Sequence, residues 1–248
     1  KNNKQKFLNN DNIVHHIDIK EYNVVNMVDD MGKMAFQARN LHRASQIFDM
    51  MVSEEKTGIY LTLAGSLISA GLKNVIVDMM NCNMADAIVS TGANIIDQDF
   101  LEALGFHHYQ GTPFVDDNEL RELMIDRIYD TYIDEEDLRV CDMTVAEIAN
   151  SLEPRAYSSR EFIEEMGKWL VENNKGEGSI IRTAYEKGIP IFCPAFSDSS
   201  AGFGLVHHQY YSKGDVLSID SAKDFLEITL TKLEMLDTGL FMIGGGVP

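Results

Sequence analysis

The chain has 248 residues, 45% of them hydrophobic, enough for one large or two small cores. Its formal charge of -18 makes nucleic acid and anionic membrane surfaces poor partners and favours cations, polyamines or basic protein segments; plain solubility is the simplest use of that charge. Three scattered cysteines (Cys82, Cys141, Cys193) without CxxC spacing, no apolar run long enough to cross a bilayer, and a polar N-terminus predict reduced thiols and a cytoplasmic location.

In chain order, the first dozen residues read as a loose polar arm. Residues 19–55 read as helical, with Met34, Phe36, Leu41, Ala44, Ile47, Phe48 and Met51 at three- and four-residue steps. Lys56-Thr57-Gly58 breaks that pattern. It divides the chain into an N-terminal arm with a helical segment (1–55) and an α/β domain (56–248).

An alternation then begins. Residues 59–64 predict a strand, 66–80 a helix despite Gly71, 86–90 a strand, and 96–104 a helix. The segment 106–140 is polar and acidic and reads as a solvated excursion, with a lid or an oligomer contact as alternatives. Residues 117–187 carry several helices. Thr144-x-x-Glu147 and Ser158-x-x-Glu161 have capping-box spacing, and Gly188 followed by Pro190 predicts a helix stop. Strands at 189–196 and 215–219, a helix at 221–235 and a strand at 240–243 complete the pattern. Such alternation predicts an α/β fold: a doubly wound, mostly parallel sheet with helices on both faces and ligands at the carboxyl ends of its strands.

That rule directs attention to the junctions. They are Ala64-Gly65-Ser66, residues 90–94 (STGAN), residues 197–202 (SDSSAG), and the glycines of Asp237-Thr238-Gly239 and Gly244-Gly245-Gly246. Small residues allow close backbone approach, free amides at a helix start favour pyrophosphate, and Asp198 can accept from hydroxyls or amines. Ordinary turn and cap chemistry is the competing explanation. No GxGxxG, P-loop, GxSxG or HExxH is present. The adjacent pairs His15-His16, His107-His108 and His207-His208 make poor chelates on a strand and read as structural, so no metal is expected.

The stretches AFQARNLHRA (35–44), GSLISAG (65–71), NMADAIVSTGAN (83–94), IPIFCPAFSDSSAGFG (189–204) and DTGLFMIGGGVP (237–248) resemble the deoxyhypusine synthase family, including bacterial homologues similar to homospermidine synthases. The resemblance implies a cytoplasmic homotetramer with sites between paired subunits. It implies an NAD-dependent aminobutyl transfer: spermidine is oxidised, its butylamine part passes to an enzyme lysine, and a second amine accepts it. That acceptor is a protein lysine or putrescine. Carried over by position, the resemblance puts NAD against Ser66, Leu67, Ile68, Ser69, Thr91, Gly92, Ala93, Asp198, Thr238, Gly239 and Gly245. It puts the amine against Asp97, Gln98 and Phe203, where Phe203 stands in place of a family acid. The family's nucleophilic lysine belongs to a Trp-Gly-Lys segment beyond Pro248, so no catalytic residue is expected within these 248; Trp169 sits in Gly-Lys-Trp instead. The alternatives are an NAD-binding homologue without transferase chemistry and a dehydrogenase that releases its imine.

Overall fold

The computed structural model describes residues 3–199 and 202–248. Its centre is a four-stranded, all-parallel sheet of β1 (Thr57–Leu63), β2 (Ala87–Ser90), β7 (Ile191–Phe192) and β9 (Asp237–Ile243), in the order β7-β2-β1-β9. The period-two pattern of TGIYLTL explains its burial. Leu61 and Leu63, with Ile88 and Ile191, face the main core, while Tyr60, Ala87, Val89 and Phe192 face the opposite side beneath Ile228 and Met235.

Helices cover both faces. The main core takes α3 (Lys73–Asn81), α4 (Phe100–Ala103), α6 (Glu135–Ser151), α7 (Ser159–Glu172) and α8 (Ile180–Lys187). The other side takes α10 (Ser221–Glu234). The capping box at Ser158 and Glu161 opens α7 as its spacing predicts, and Gly188, in the left-handed region at φ 68°, closes α8. The N-terminal helical stretch is broken into α1 (Val25–Met31) and α2 (Phe36–Ser53); α2 packs on β1 and β9, with Phe48 and Phe241 ring centroids 4.7 Å apart.

Several local expectations are corrected. The helix expected from residue 66 starts at Lys73; residues 64–72 form a loop braced by side chains from the turn after β2. The strand expected at 189–196 is paired only at Ile191–Phe192, and the one expected at 215–219 only as β8 (Ser218–Ile219), beside β6 (Ala156–Tyr157). Thr144 lies inside α6 and donates to the Val140 carbonyl (2.7 Å), so it caps nothing. The acidic excursion is a folded unit: α5 (Asp117–Glu122) and an antiparallel sheet of β3 (Tyr109–Gln110), β5 (Thr131–Asp134) and β4 (Ile125–Ile128). Its small core joins Leu120, Ile125 and Tyr132 to Phe7. The polar arm is therefore anchored, and Lys4 also pairs with Asp134 at 2.7 Å. Among the described residues no helix is long and apolar enough to cross a membrane.

Candidate functional site

Chain order runs β1, β2, β7 to one side and then returns to place β9 on the other side of β1. The strand order thus reverses between β1 and β9, the position where open parallel sheets bind ligands. Asp198 and Gly245 fall at the two ends of one carboxyl edge, with three strand spacings of about 4.8 Å between β7 and β9.

The loop after β1 borders the reversal point. Gly65 at φ 84° and Gly245 have open space where a side chain would stand, and Gly246 at φ 88° does too. Gly244, also at φ 84°, lies against Ala64; a Cβ there would come within 3.0 Å of the Ala64 Cβ. Two side chains from the turn after β2 (residues 93–99, π-helical) hold the β1 loop. Asn94 Oδ1 accepts from the Leu67 amide at 2.8 Å, and Gln98 Oε1 accepts from the Ser69 amide at 2.9 Å. Ser69 Oγ donates back to the Ser66 carbonyl at 3.1 Å. Asn94 and Gln98 are both fully buried. This bracing is invisible to local periodicity, since the partners are 27 and 29 residues apart.

The sequence-derived residues sort accordingly. Ser66, Leu67, Thr91, Gly92, Ala93, Asp198 and Gly245 stand on loops of the carboxyl edge. A Cβ on Gly92 would lie 2.5 Å from the Ser199 Cβ, so the β2 and β7 loops touch there. Ser200 and Ala201 of the SDSSAG loop lie outside the described residues. Ile68 is wholly buried in the core and the Ser69 amide is engaged by Gln98, so neither presents a free side chain or amide at the edge. Thr238 and Gly239 pair with Gly58 and Ile59 at the opposite, amino end of the sheet, so within one chain they do not share the crevice. Gln98 braces the β1 loop through its Oε1. Phe203 is exposed on α9 (Gly202–Tyr211), just after the β7 loop.

The charge of Asp97, in the turn after β2, reaches groups on both the β7 side and α6. Asp97 and Asp198 both act on the Cys193 thiol, which burial first, then Asp224 and these two charges, push up to about 12. Asp97 also faces Asp142 of α6, whose carboxyl is pushed up to about 7, by burial first and by Asp97 second. Asp142 Oδ1 is shut off from solvent with no hydrogen-bond partner. Nothing in the sequence singled Asp142 out; it sits in a helix whose apolar face is read as core.

The remaining buried polar groups are structural. Asp99 caps α8 by accepting from the Ile180 and Ile181 amides, both at 2.9 Å, yet its complete burial raises its carboxyl to about 6. Glu102 is gripped by Lys73, His16 and His108. His208 bridges Asn150 and the Leu217 amide.

Fold and edge together define a parallel α/β protein whose strand order reverses beside its small-residue loops. The chain belongs to the deoxyhypusine synthase family, whose model matches residues 26–248. It is 65% identical over 235 residues to a deoxyhypusine synthase-like protein of Chlorobaculum tepidum, covering 95% of this chain and 67% of that one. It is 57% identical over 250 residues to the one of Elusimicrobium minutum, covering 100% and 67%. The chain thus spans about two thirds of the length of these relatives. A crystal structure of a candidate deoxyhypusine synthase from Entamoeba histolytica shares the fold at a TM-score of 0.68 and 20% identity, over 95% of this chain and 80% of that one. Family membership supports an aminobutyl-transferase type of role.

Proposed function

We propose that this protein transfers the butylamine part of spermidine, or of a diamine, to an acceptor amine with NAD as its redox partner, giving a homospermidine- or deoxyhypusine-type product. The observation that carries the reading is the match to the family over residues 26–248, on a chain whose small-residue loops gather at one carboxyl edge.

The edge suits a dinucleotide in shape. Open space beside Gly65, Gly245 and Gly246 leaves room for backbone approach, and Ser66 and Thr91 bring hydroxyls there. When bound, NAD would take up and return the hydride. Ser66, Thr91, Gly92 and Gly245 would hold it, with Asp198 accepting from a ribose hydroxyl or amide. The protein's own work is to position the amine, neutralise its ammonium groups with carboxylates and keep water from the reacting carbon. A homotetramer with sites between subunits and a cytoplasmic setting go with this reading, as does a protein lysine as a possible alternative acceptor to putrescine.

The test is an incubation of the gene's full-length product with NAD, spermidine and putrescine, followed by mass spectrometry. Homospermidine formation is the expected outcome. NAD binding without any aminobutyl product would instead favour a homologue that kept the crevice and lost the chemistry.

A further inference from the structure

We propose that Asp142, on α6, is the carboxylate that receives one ammonium group of the amine substrate, with Asp97 facing it from the turn after β2. The inference rests on the amine-transfer reading above and assigns that site a specificity residue which neither the sequence motifs nor the family stretches contain.

Geometry carries it. A Cβ added to Gly204 would run into the Asp142 carbonyl, so α9 crosses α6 closely at this point, one residue after Phe203. The Asp142 backbone thus packs against the start of α9, while its carboxyl feels the charge of Asp97 from the β2 turn. Its Oδ1 is sealed from water without a donor, and Asp142 takes part in none of the described ion pairs. A buried carboxylate oxygen without a donor is costly unless it is protonated or meets a cation.

The groups around it set the charge of the missing partner. Asp97 opposes it from the β2 turn. On its own helix, Asp142 and Asp137 both press on the Cys141 thiol, as Asp97 also does. From α9 the neighbour is Gly204, which carries no charge. A corner with carboxylates from two elements favours a cation. A primary ammonium can donate to both Asp97 and Asp142, and the exposed ring of Phe203 nearby offers an apolar wall for methylenes.

Binding should convert Asp142 from partly protonated to ionised. With its carboxyl at about 7, roughly half a proton leaves the protein per amine bound at pH 7. The experiment is calorimetric titration of NAD-loaded, full-length protein with spermidine, in buffers of different ionisation enthalpy, for wild type and Asp142→Asn. Expected are proton release by wild type, its disappearance in the variant, and spermidine affinity at least tenfold weaker in the variant with NAD affinity within twofold. Undiminished spermidine affinity in Asp142→Asn, or binding by wild type without proton release at pH 7, overturns the assignment; the second reading is independent of how the variant folds. Wild type that ignores spermidine altogether overturns the amine-transfer reading itself and takes the assignment with it.

Discussion

Two partly buried acidic corners of this molecule, around Glu102 and around Asp142, behave in opposite ways. Around Glu102, burial resists ionisation, but hydrogen bonds from His108 and His16 and the charge of Lys73 outweigh it and hold the carboxyl far below its usual range. Around Asp142, burial and Asp97 act in the same direction and no donor answers, so the carboxyl rises to about 7. In the first arrangement the carboxylate is answered by donors on both oxygens and serves the fold. In the second, Asp142 Oδ1 has no donor, which is the basis of the amine-binding role proposed for it.

The largest effect expected from breaking this contrast is at Glu102. Glu102→Gln leaves the Lys73 ammonium and two imidazoles around a neutral amide, and should cost about 3–5 kcal/mol in urea unfolding at pH 7. The sign with pH follows from the lowered carboxyl. The unfolded chain binds the proton more readily, so this stability is present above about pH 4.5 and is lost as pH falls below that value. The variant should have a flatter acid limb; an unchanged limb would show that the grip on Glu102 does not stabilise the fold.

Asp99 sharpens the comparison as an intermediate case, buried like Glu102 and hydrogen-bonded only by amides, with the charge of Lys73 a weaker help. Asp99→Asn leaves one of the Ile180 and Ile181 amides facing an NH2 group and should cost about 1–3 kcal/mol, read as a lowered urea midpoint.

The smallest effect has the opposite sign. A raised carboxyl means the folded chain holds the proton more tightly, so Asp142 removes stability as pH rises from about 4 to about 7. Asp142→Asn should gain about 1 kcal/mol at pH 8, discounted because the residue keeps some solvent access, and nothing at pH 4. Thermal melts at the two pH values check this. A loss of stability at pH 8 would place Asp142 with Glu102 as a structural group.

Much of this was legible in advance, for a physical reason. Strand alternation and small residues at strand ends are local signals, and they located the edge loops at 64–66, 90–92, 197–199 and 244–246. What failed was whatever depends on distant partners. The helix expected from Ser66 begins only at Lys73, and the loop before it is held by Asn94 and Gln98, which belong to the turn after β2. Thr238 and Gly239 share a glycine-rich composition with true edge loops, but the register of β9 with β1 puts them at the far end. Asp142 carries no motif; only the tertiary approach of α6 and α9 makes it unusual.

The β1 loop has a second neighbour. Gly71, at φ 87°, lies under the His15 carbonyl, Ile17 donates to the Gly71 carbonyl at 3.0 Å, and His16 Nδ1 accepts from the Lys73 amide at 3.1 Å. Residues 14–17 are thus a strap buckled across the back of the loop whose front carries Ser66. An affinity tag or truncation that tugs on the strap would be transmitted to the ligand edge without touching it, so activity measured on proteins altered at the N-terminus reports on the buckle as well as on the catalyst.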